Sequence, residues 1–289
     1  MRYRVVLSET PATHLRTVCV VGTGGTGSMV ADGLCRLLPK EQNILLIDHD
    51  RVEPHNLRRQ NFFSGDVGLF KSQALAERLS RQYDRKVGYS ILPFTRHLLR
   101  GSELGGRFHQ QVLVNCLIVG CLDNTAARLE IMRSMDSIGN WWLDAGNGHH
   151  WGQVLLGNAT DIESLAKAFD PQTQTVRALP SPSLQLPGLL VPAPAPKRDC
   201  AQEIEDDEQS PVINQAMALL VLTFVHKLLT GSLTWMGAYL DLEAGTLQTV
   251  PADPETVARV CGLDTDTLTD FACGHGAELL PRRGRRAGR

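Results

Sequence analysis

The residues Gly22-Thr23-Gly24-Gly25-Thr26-Gly27 set their glycines as GxGxxG, directly after a β-branched run and before a helical stretch. In that setting backbone N–H groups and the positive end of a helix can hold phosphate oxygens. Asp48 stands 21 residues beyond Gly27, where a carboxylate can accept from a ribose hydroxyl. This spacing serves NAD, FAD or ATP alike. The segment from Asp48 to Lys71 is more polar and cationic than a plain dinucleotide fold needs: Asp48-His49-Asp50-Arg51-Val52-Glu53, then Asn56-Leu57-Arg58-Arg59-Gln60, Asp66-Val67-Gly68 and Lys71. Cations such as Arg59 and Lys71 beside a phosphate loop suit a reaction that brings two anions together. They lower the repulsion and hold a charge-rich transition state.

These residues must be positioned by alternating strands and helices. Thr17 to Val21 predicts a first strand, followed by a helix to about Leu38. Further strands are predicted at Asn43 to Ile47, Val87 to Leu92 and Val112 to Val119, with helices from Lys71 to Tyr83 and from Asn124 to about Asp136. This is the pattern of a parallel sheet covered by helices. Trp142 to Ala145 and Gln153 to Leu156, separated by turn residues, predict that the sheet becomes mixed. The proline-rich stretch from Leu179 to Lys197 predicts a long extended crossover. Ser210 caps a helix that has Pro211 in its first turn and Gly231 as its stop, and a hairpin is predicted after it at Trp235 to Asp241 and Thr246 to Val250.

Composition narrows the class. With 43% hydrophobic and 21% charged residues among 289, the chain is an ordinary globular one, one large domain or two small ones. A net charge of -2 disfavours a general nucleic-acid coat or a polybasic membrane binder. The apolar run Met217 to Val225 falls short of a membrane span, and no signal-peptide pattern opens the chain, so a cytoplasmic protein is expected. Seven scattered cysteines form neither a disulfide framework nor a CxxC. The last nine residues hold five arginines and no acid, a basic tail on a more acidic body.

The ordered run GxGGxG, DxD, NLxRQ, DxGxxK and CxDNxxxR, the last as Cys121-Leu122-Asp123-Asn124 with Arg128, resembles the ThiF/MoeB family, adenylating enzymes related to ubiquitin-activating enzymes. The resemblance is specific over residues 17 to about 160 and weaker beyond. It implies an α/β, doubly wound, Rossmann-like mixed sheet with a crossover loop and C-terminal strands. It implies an adenylation domain over 1–253, comprising a nucleotide-binding half at 17–160, a proline-rich and acidic crossover at 179–209, and a crossover helix with terminal strands at 210–253. An extension with a disordered basic tail would occupy 254–289.

The implied activity is ATP- and Mg²⁺-dependent adenylation of the C-terminal glycine of a small ubiquitin-like or sulfur-carrier protein by a homodimer. The implied nucleotide contacts are Gly22, Gly24, Gly25, Gly27, Asp48, Asp50, Asn56, Arg59, Gln60, Lys71 and Asn124. Within this set Asp48 holds the ribose, Asn56 and Arg59 the triphosphate, and Lys71 the phosphates at the reacting centre. Asp123 is the implied magnesium ligand, consistent with the preference of that ion for one or two carboxylates and several waters. Asp50 either assists the ion or caps a turn, and Arg58 and Gln60 are either site groups or ordinary solvated side chains.

Cys200, beyond the crossover prolines, is the implied nucleophile toward the acyl adenylate, or else an incidental loop thiol. Lys197 and Arg198 would lower its pKa, and Glu203, Glu205, Asp206, Asp207 and Glu208 would oppose them. An arginine from a second subunit is also implied, with Arg2, Arg4 and Arg16 as candidates. His55 replaces the usual small serine before NLxRQ. The absence of CxxC pairs excludes the zinc site of many relatives, and Cys261, Cys273 and His275 supply at most three scattered ligands. His149 and His150 read as structural. The stretch Asp199-Cys200 to Ser210-Pro-Val-Ile-Asn-Gln most resembles the ThiF-type member of the bacterial PRTRC gene system, which also encodes a small ubiquitin-like protein. Two other classes stay open on the residues alone: a non-catalytic nucleotide-binding assembly module and an NAD-dependent oxidoreductase.

Overall fold

β2 (Thr17–Val21) buries all five residues of TVCVV, and β3 (Asn43–Ile47) and β5 (Cys116–Gly120) flank it in parallel. Branched apolar side chains on both faces suit strands covered by helices on either side. In this computed structural model, which describes residues 2–7, 15–99, 115–135, 139–192 and 210–269, β4 (Val87–Ser90) extends the sheet beyond β3, and β6 (Trp141–Asn147) extends it beyond β5, both in parallel. Three antiparallel strands complete that side: β7 (Trp151–Gly157), β10 (Trp235–Asp241) and β11 (Thr246–Pro251). The resulting order, β11-β10-β7-β6-β5-β2-β3-β4, is the mixed, doubly wound, Rossmann-like sheet expected.

The chain winds outward from β2 through β3 to β4 and then returns to the other side of β2 as β5. The switch point therefore lies between β2 and β5, the place where open α/β sheets bind ligands beyond their strand ends. The register levels that edge. Val21 lies opposite both Ile47 and Gly120, so Gly22, Asp48 and Cys121 all leave the sheet at the same end.

One face of the sheet is covered by α1 (Gly25–Leu37), α2 (Lys71–Tyr83) and a long helix at Pro211–Leu229, the other by α3 (Arg96–Leu99) and α4 (Thr125–Ser134). The long helix has a mean hydropathy of 1.6, enough by length and composition to cross a membrane. It is apolar along more of its length than the short run at Met217 suggests because it packs on α1 as well as on β6 and β7. A small separate sheet joins β1 (Arg4–Val5), β9 (Thr175–Val176) and β8 (Phe169–Asp170) in that order.

The extended crossover is corrected for residues 182–190. Pro182–Gln185 forms α5 and Pro187–Leu190 a 3-10 turn. Proline sits in the first turn of each, where its missing N–H would have had no intrahelical partner. Residues 193–209, with Cys200 and the acidic run, lie outside the described residues. The long helix, α6 in chain order, starts at Pro211 under a Ser210 cap and ends just before Gly231 in the left-handed region, as its sequence predicts. β4 stops at Ser90, two residues early, because the Ser90 hydroxyl accepts from Leu92 N and turns the chain. Beyond 253, α7 (Pro254–Cys261) and α8 (Thr265–Leu268) contribute Val257, Ala258 and Leu268 to the main core. The arginine-rich end, Cys273 and His275 lie outside the described residues.

Candidate functional site

The glycine loop is built by close approach. Gly22 has φ +84°, and a Cβ there would run into the Cys121 carbonyl, while a Cβ on Gly27 would overlap the Gly22 carbonyl. Gly22 thus brings β2 and β5 together, and Gly27 packs α1 onto the loop. Gly24 is the N-cap of α1 without a side-chain acceptor, and the positive end of the helix faces the strand ends. Asp48 holds this loop. Its Oδ2 accepts from Thr23 N at 2.7 Å and Thr23 Oγ1 at 3.0 Å, and its Oδ1 from Asp50 N at 2.9 Å. Ser72 Oγ donates to the carbonyls of Asp48 and Ser90, which pins β3, β4 and the start of α2 together.

The cationic segment is a closed lobe. Pro54–Arg58 forms a 3-10 turn with a reciprocal Glu53–Asn56 cap, in which the buried Asn56 side chain accepts from Glu53 N at 3.0 Å. The neck of the lobe is tied where Arg51 stacks at 3.9 Å on the Phe70 ring and donates to the Gly68 carbonyl at 2.6 Å. Its tip is tied by Arg78 of α2, which pairs with Asp66 at 2.9 Å, donates to the Asn61 carbonyl and lies over the Phe63 ring. Lys71, the first residue of α2, has its ammonium 2.9 Å from Asp50 Oδ2, with the lysine nearly buried and the carboxylate 56% exposed. His55, in the place of a serine, pairs with Glu53 at 3.2 Å.

The third wall begins at Cys121. Asn124 caps α4 by accepting from Ala127 N at 2.9 Å, and its amide lies 3.4 Å from Asp123 Oδ1. The exposed Asp123 carboxylate thereby keeps most of its acceptor capacity, as a hydrated Mg²⁺ would require. Beneath it, Arg128 donates to the Leu122 carbonyl at 2.6 Å and to both oxygens of the fully buried Asp144, at 3.1 and 3.3 Å. Burial pushes the Asp144 carboxyl up to about 6, against the lowering effect of Arg128, and burial with the nearby Asp144 charge pushes the Cys121 thiol up.

These three walls enclose a cleft of about 770 Å³ at the switch point. The structure brings together Gly22, Gly24, Gly25, Asp48, Asp50, Asn56, Arg59, Gln60, Lys71, Asp123 and Asn124 on its lining; Gly27 and Arg58 are not on it. Gln60 Oε1 is buried there without a hydrogen-bond partner. Arg2, Arg4 and Arg16 do not line the cleft of their own chain. Among the described residues, Asp48, His49 and Asp50 form the group of close potential metal ligands, their ligand atoms within 4.8 Å of one another. Lys71 and the loop N–H groups already occupy much of that capacity, which leaves Asp123 the more open carboxylate.

Sequence reasoning missed Asp144, Thr26, Asn147 and Asn214. Asn147 reads as a turn residue and Asn214 as one more residue of an apolar helix, and no local signal joins either to the glycine loop.

The strand order and the cleft at its switch point define a doubly wound α/β protein. The ThiF family profile matches residues 12–256, and the chain belongs to the ThiF family. It is 32% identical over 136 residues to chicken (Gallus gallus) ubiquitin-like modifier-activating enzyme 5, covering 45% of this chain and 33% of that protein. The chain thus spans about a third of the length of the curated relatives it matches. Escherichia coli MccB, solved with AMPCPP and MccA, superposes with a TM-score of 0.52 at 17% identity, over 82% of this chain and 63% of that one. PaaA does so with a TM-score of 0.52 at 20% identity, over 81% and 63%.

Proposed function

We propose that this chain adenylates the C-terminal carboxylate of a small ubiquitin-like or sulfur-carrier protein with ATP and Mg²⁺. The observation that carries this reading is the joint placement of Asn56, Arg59, Gln60, Lys71 and Asp123 on one cleft facing the positive end of α1. A redox dinucleotide needs no such cluster of cations, and neither does a scaffold that uses a nucleotide only as a prop. Family membership adds that relatives of this chain include a ubiquitin-like modifier-activating enzyme.

In this reading Asp48 positions the ribose, and Arg59, Lys71 and the N–H groups of α1 take the phosphate charge. A carboxylate oxygen of the carrier attacks the α-phosphorus as the bond to the β-phosphate oxygen breaks. The products are an acyl adenylate and pyrophosphate. Mg²⁺ bound by Asp123 would neutralise phosphate charge. The carrier's tail lies along the strand ends beneath the crossover, whose described end reaches this rim where Thr125 Oγ1 donates to the Val191 carbonyl at 3.5 Å. The chain acts as a homodimer in the cytoplasm, the PRTRC-type ubiquitin-like protein is the carrier, and the Cys200 thiolate takes the acyl group from the adenylate as a thioester as the acyl–phosphate bond breaks and AMP leaves.

The test is ATP–pyrophosphate exchange with and without that ubiquitin-like protein. Carrier-dependent exchange that disappears in Asp123→Ala with unchanged circular dichroism is the expected result. Unchanged exchange in that variant, or stabilisation of the protein by NAD and not by ATP, refutes the reading.

The Arg78 clamp gives a further expectation. Arg78→Met frees the lobe that carries Asn56 and Arg59 from the helix that begins with Lys71. The KM for ATP should rise about tenfold, because displaced binding groups lose oriented contacts. Equal KM values in steady-state assays of the two proteins would show that the clamp does not position the site.

A further inference from the structure

The cleft changes character from one face of the sheet to the other. On the side of α1 and α2 its lining carries the glycine loop, Arg59 and Lys71. On the side of α3 and α4 it is lined by Ile47, Phe94, Leu122 and Ala127, the first three of which belong to or pack against the core beneath those helices. A ribose held at Asp48 sends its phosphates toward the cations and its base away from them. The apolar end is therefore left to the base, a flat ring that suits an apolar slot with a few placed polar groups.

Two polar side chains stand at that end. Glu130 of α4 lines it with 28% of its side chain exposed. One carboxylate oxygen accepts from Arg133 Nη1 at 2.9 Å, and the other accepts only a long bond from Arg96 N at 3.4 Å. A carboxylate offers about four acceptor positions, so the second oxygen keeps room for a stronger donor. Thr95, next in the chain to Arg96, also lines the cleft. Its Oγ1 accepts from Leu98 N at 3.2 Å and keeps its own hydrogen to donate. An acceptor and a donor close together match one purine edge. The 6-amino group of adenine donates and its ring nitrogens N1 and N7 accept, whereas a 6-oxo purine turns an acceptor toward the carboxylate.

We infer that Glu130 is the residue by which this cleft selects a 6-aminopurine, accepting from the amino group while Thr95 donates to a ring nitrogen beside it. This deepens the adenylation reading and rests on it for ATP as the ligand. NAD carries the same base, so the two are compared.

Isothermal titration of the full chain with ATP and with ITP, in which oxygen replaces the 6-amino group, reads this selection. NAD and its hypoxanthine analogue make the same comparison without a triphosphate. The wild type should bind ATP about tenfold or more tightly than ITP, because a site built around an N–H donor rejects the analogue that lacks it. Glu130→Leu should bring the two nucleotides within about threefold of each other by weakening ATP. Glu130→Gln should narrow the ratio by tightening ITP, since its amide can donate to a 6-oxo group. A glutamate that only anchored Arg96 and Arg133 would, on removal, weaken both nucleotides alike and leave their ratio standing. An unchanged ratio in Glu130→Leu, or a wild type that binds ITP as tightly as ATP, overturns the selection by Glu130 and leaves adenylation standing. A preference for NAD over its hypoxanthine analogue that Glu130→Leu abolishes, with no binding of ATP, keeps the selection and overturns adenylation. Binding of none of these ligands overturns both.

Discussion

Lys71→Met should lower carrier-dependent ATP–pyrophosphate exchange by about 10²–10³-fold, the usual cost of removing one preorganised group that meets developing charge. The expectation rests on where the ammonium sits. It is nearly buried at the first residue of α2, it lines the cleft, and its partner in the ligand-free chain is Asp50, which is more than half exposed. An ion pair with one partner so exposed is worth at most about 1 kcal/mol to the fold, so the variant should melt close to the wild type. Stability and activity are therefore expected to separate. Phosphate entering the cleft would compete with Asp50 for the ammonium, which moves a positive charge from an internal pair to the reacting centre. Asp50→Asn tests the same exchange from the other side: it frees the lysine and should leave activity within a few-fold, whereas an equal loss in both variants would make the pair itself the functional unit. Retention of full exchange by Lys71→Met would remove the lysine from the chemistry.

Much of the site is legible in sequence because its signals are local. The glycine loop, Asp48 and the run from Asn56 to Lys71 lie within about fifty residues, and each is tied to its neighbours by contacts of short range, such as the Glu53–Asn56 cap and the Asn124 cap of α4. Strand periods and helix caps predict β2, β3, α1, α2 and α6 for the same reason. What sequence does not display is pairing across the chain. Thr26 meets Asn147 and Asn214 across separations of 121 and 188 residues, and nothing in the composition of α6 distinguishes Asn214 from a residue that points to solvent. The two-residue strands of the small sheet carry no periodicity at all. The helix at Pro182 is missed for a different reason: proline is weighed as a breaker of extended and helical chain alike, although at a first turn it costs nothing.

Arg128 and Asp144 show how far such a hidden pairing can reach into stability. Arg128→Met leaves a fully buried carboxylate without its cation, and breaking a buried pair from one side costs about 3–5 kcal/mol. The size of the loss should depend on pH, with a sign set by the direction of the Asp144 shift. The folded-state value, about 6, lies above the reference of 3.8 for an exposed aspartate. Between those values the folded chain holds a proton that the unfolded chain has released, so the contribution of this group is fully present below the lower value and is lost as pH rises through the upper. Without Arg128 the carboxyl rises further, so the variant should lose most at pH 8 and least near pH 5, where Asp144 is protonated and neutral. Urea unfolding at the two pH values measures this directly, and a loss that is the same at both would exclude Asp144 as its source. Pairing Arg128→Met with Asp144→Leu removes both charges together, a change that is often close to neutral in a well-packed interior. The double variant should therefore recover stability that the single one lacks. It should not recover exchange activity, because the Leu122 carbonyl beside Asp123 has still lost its donor.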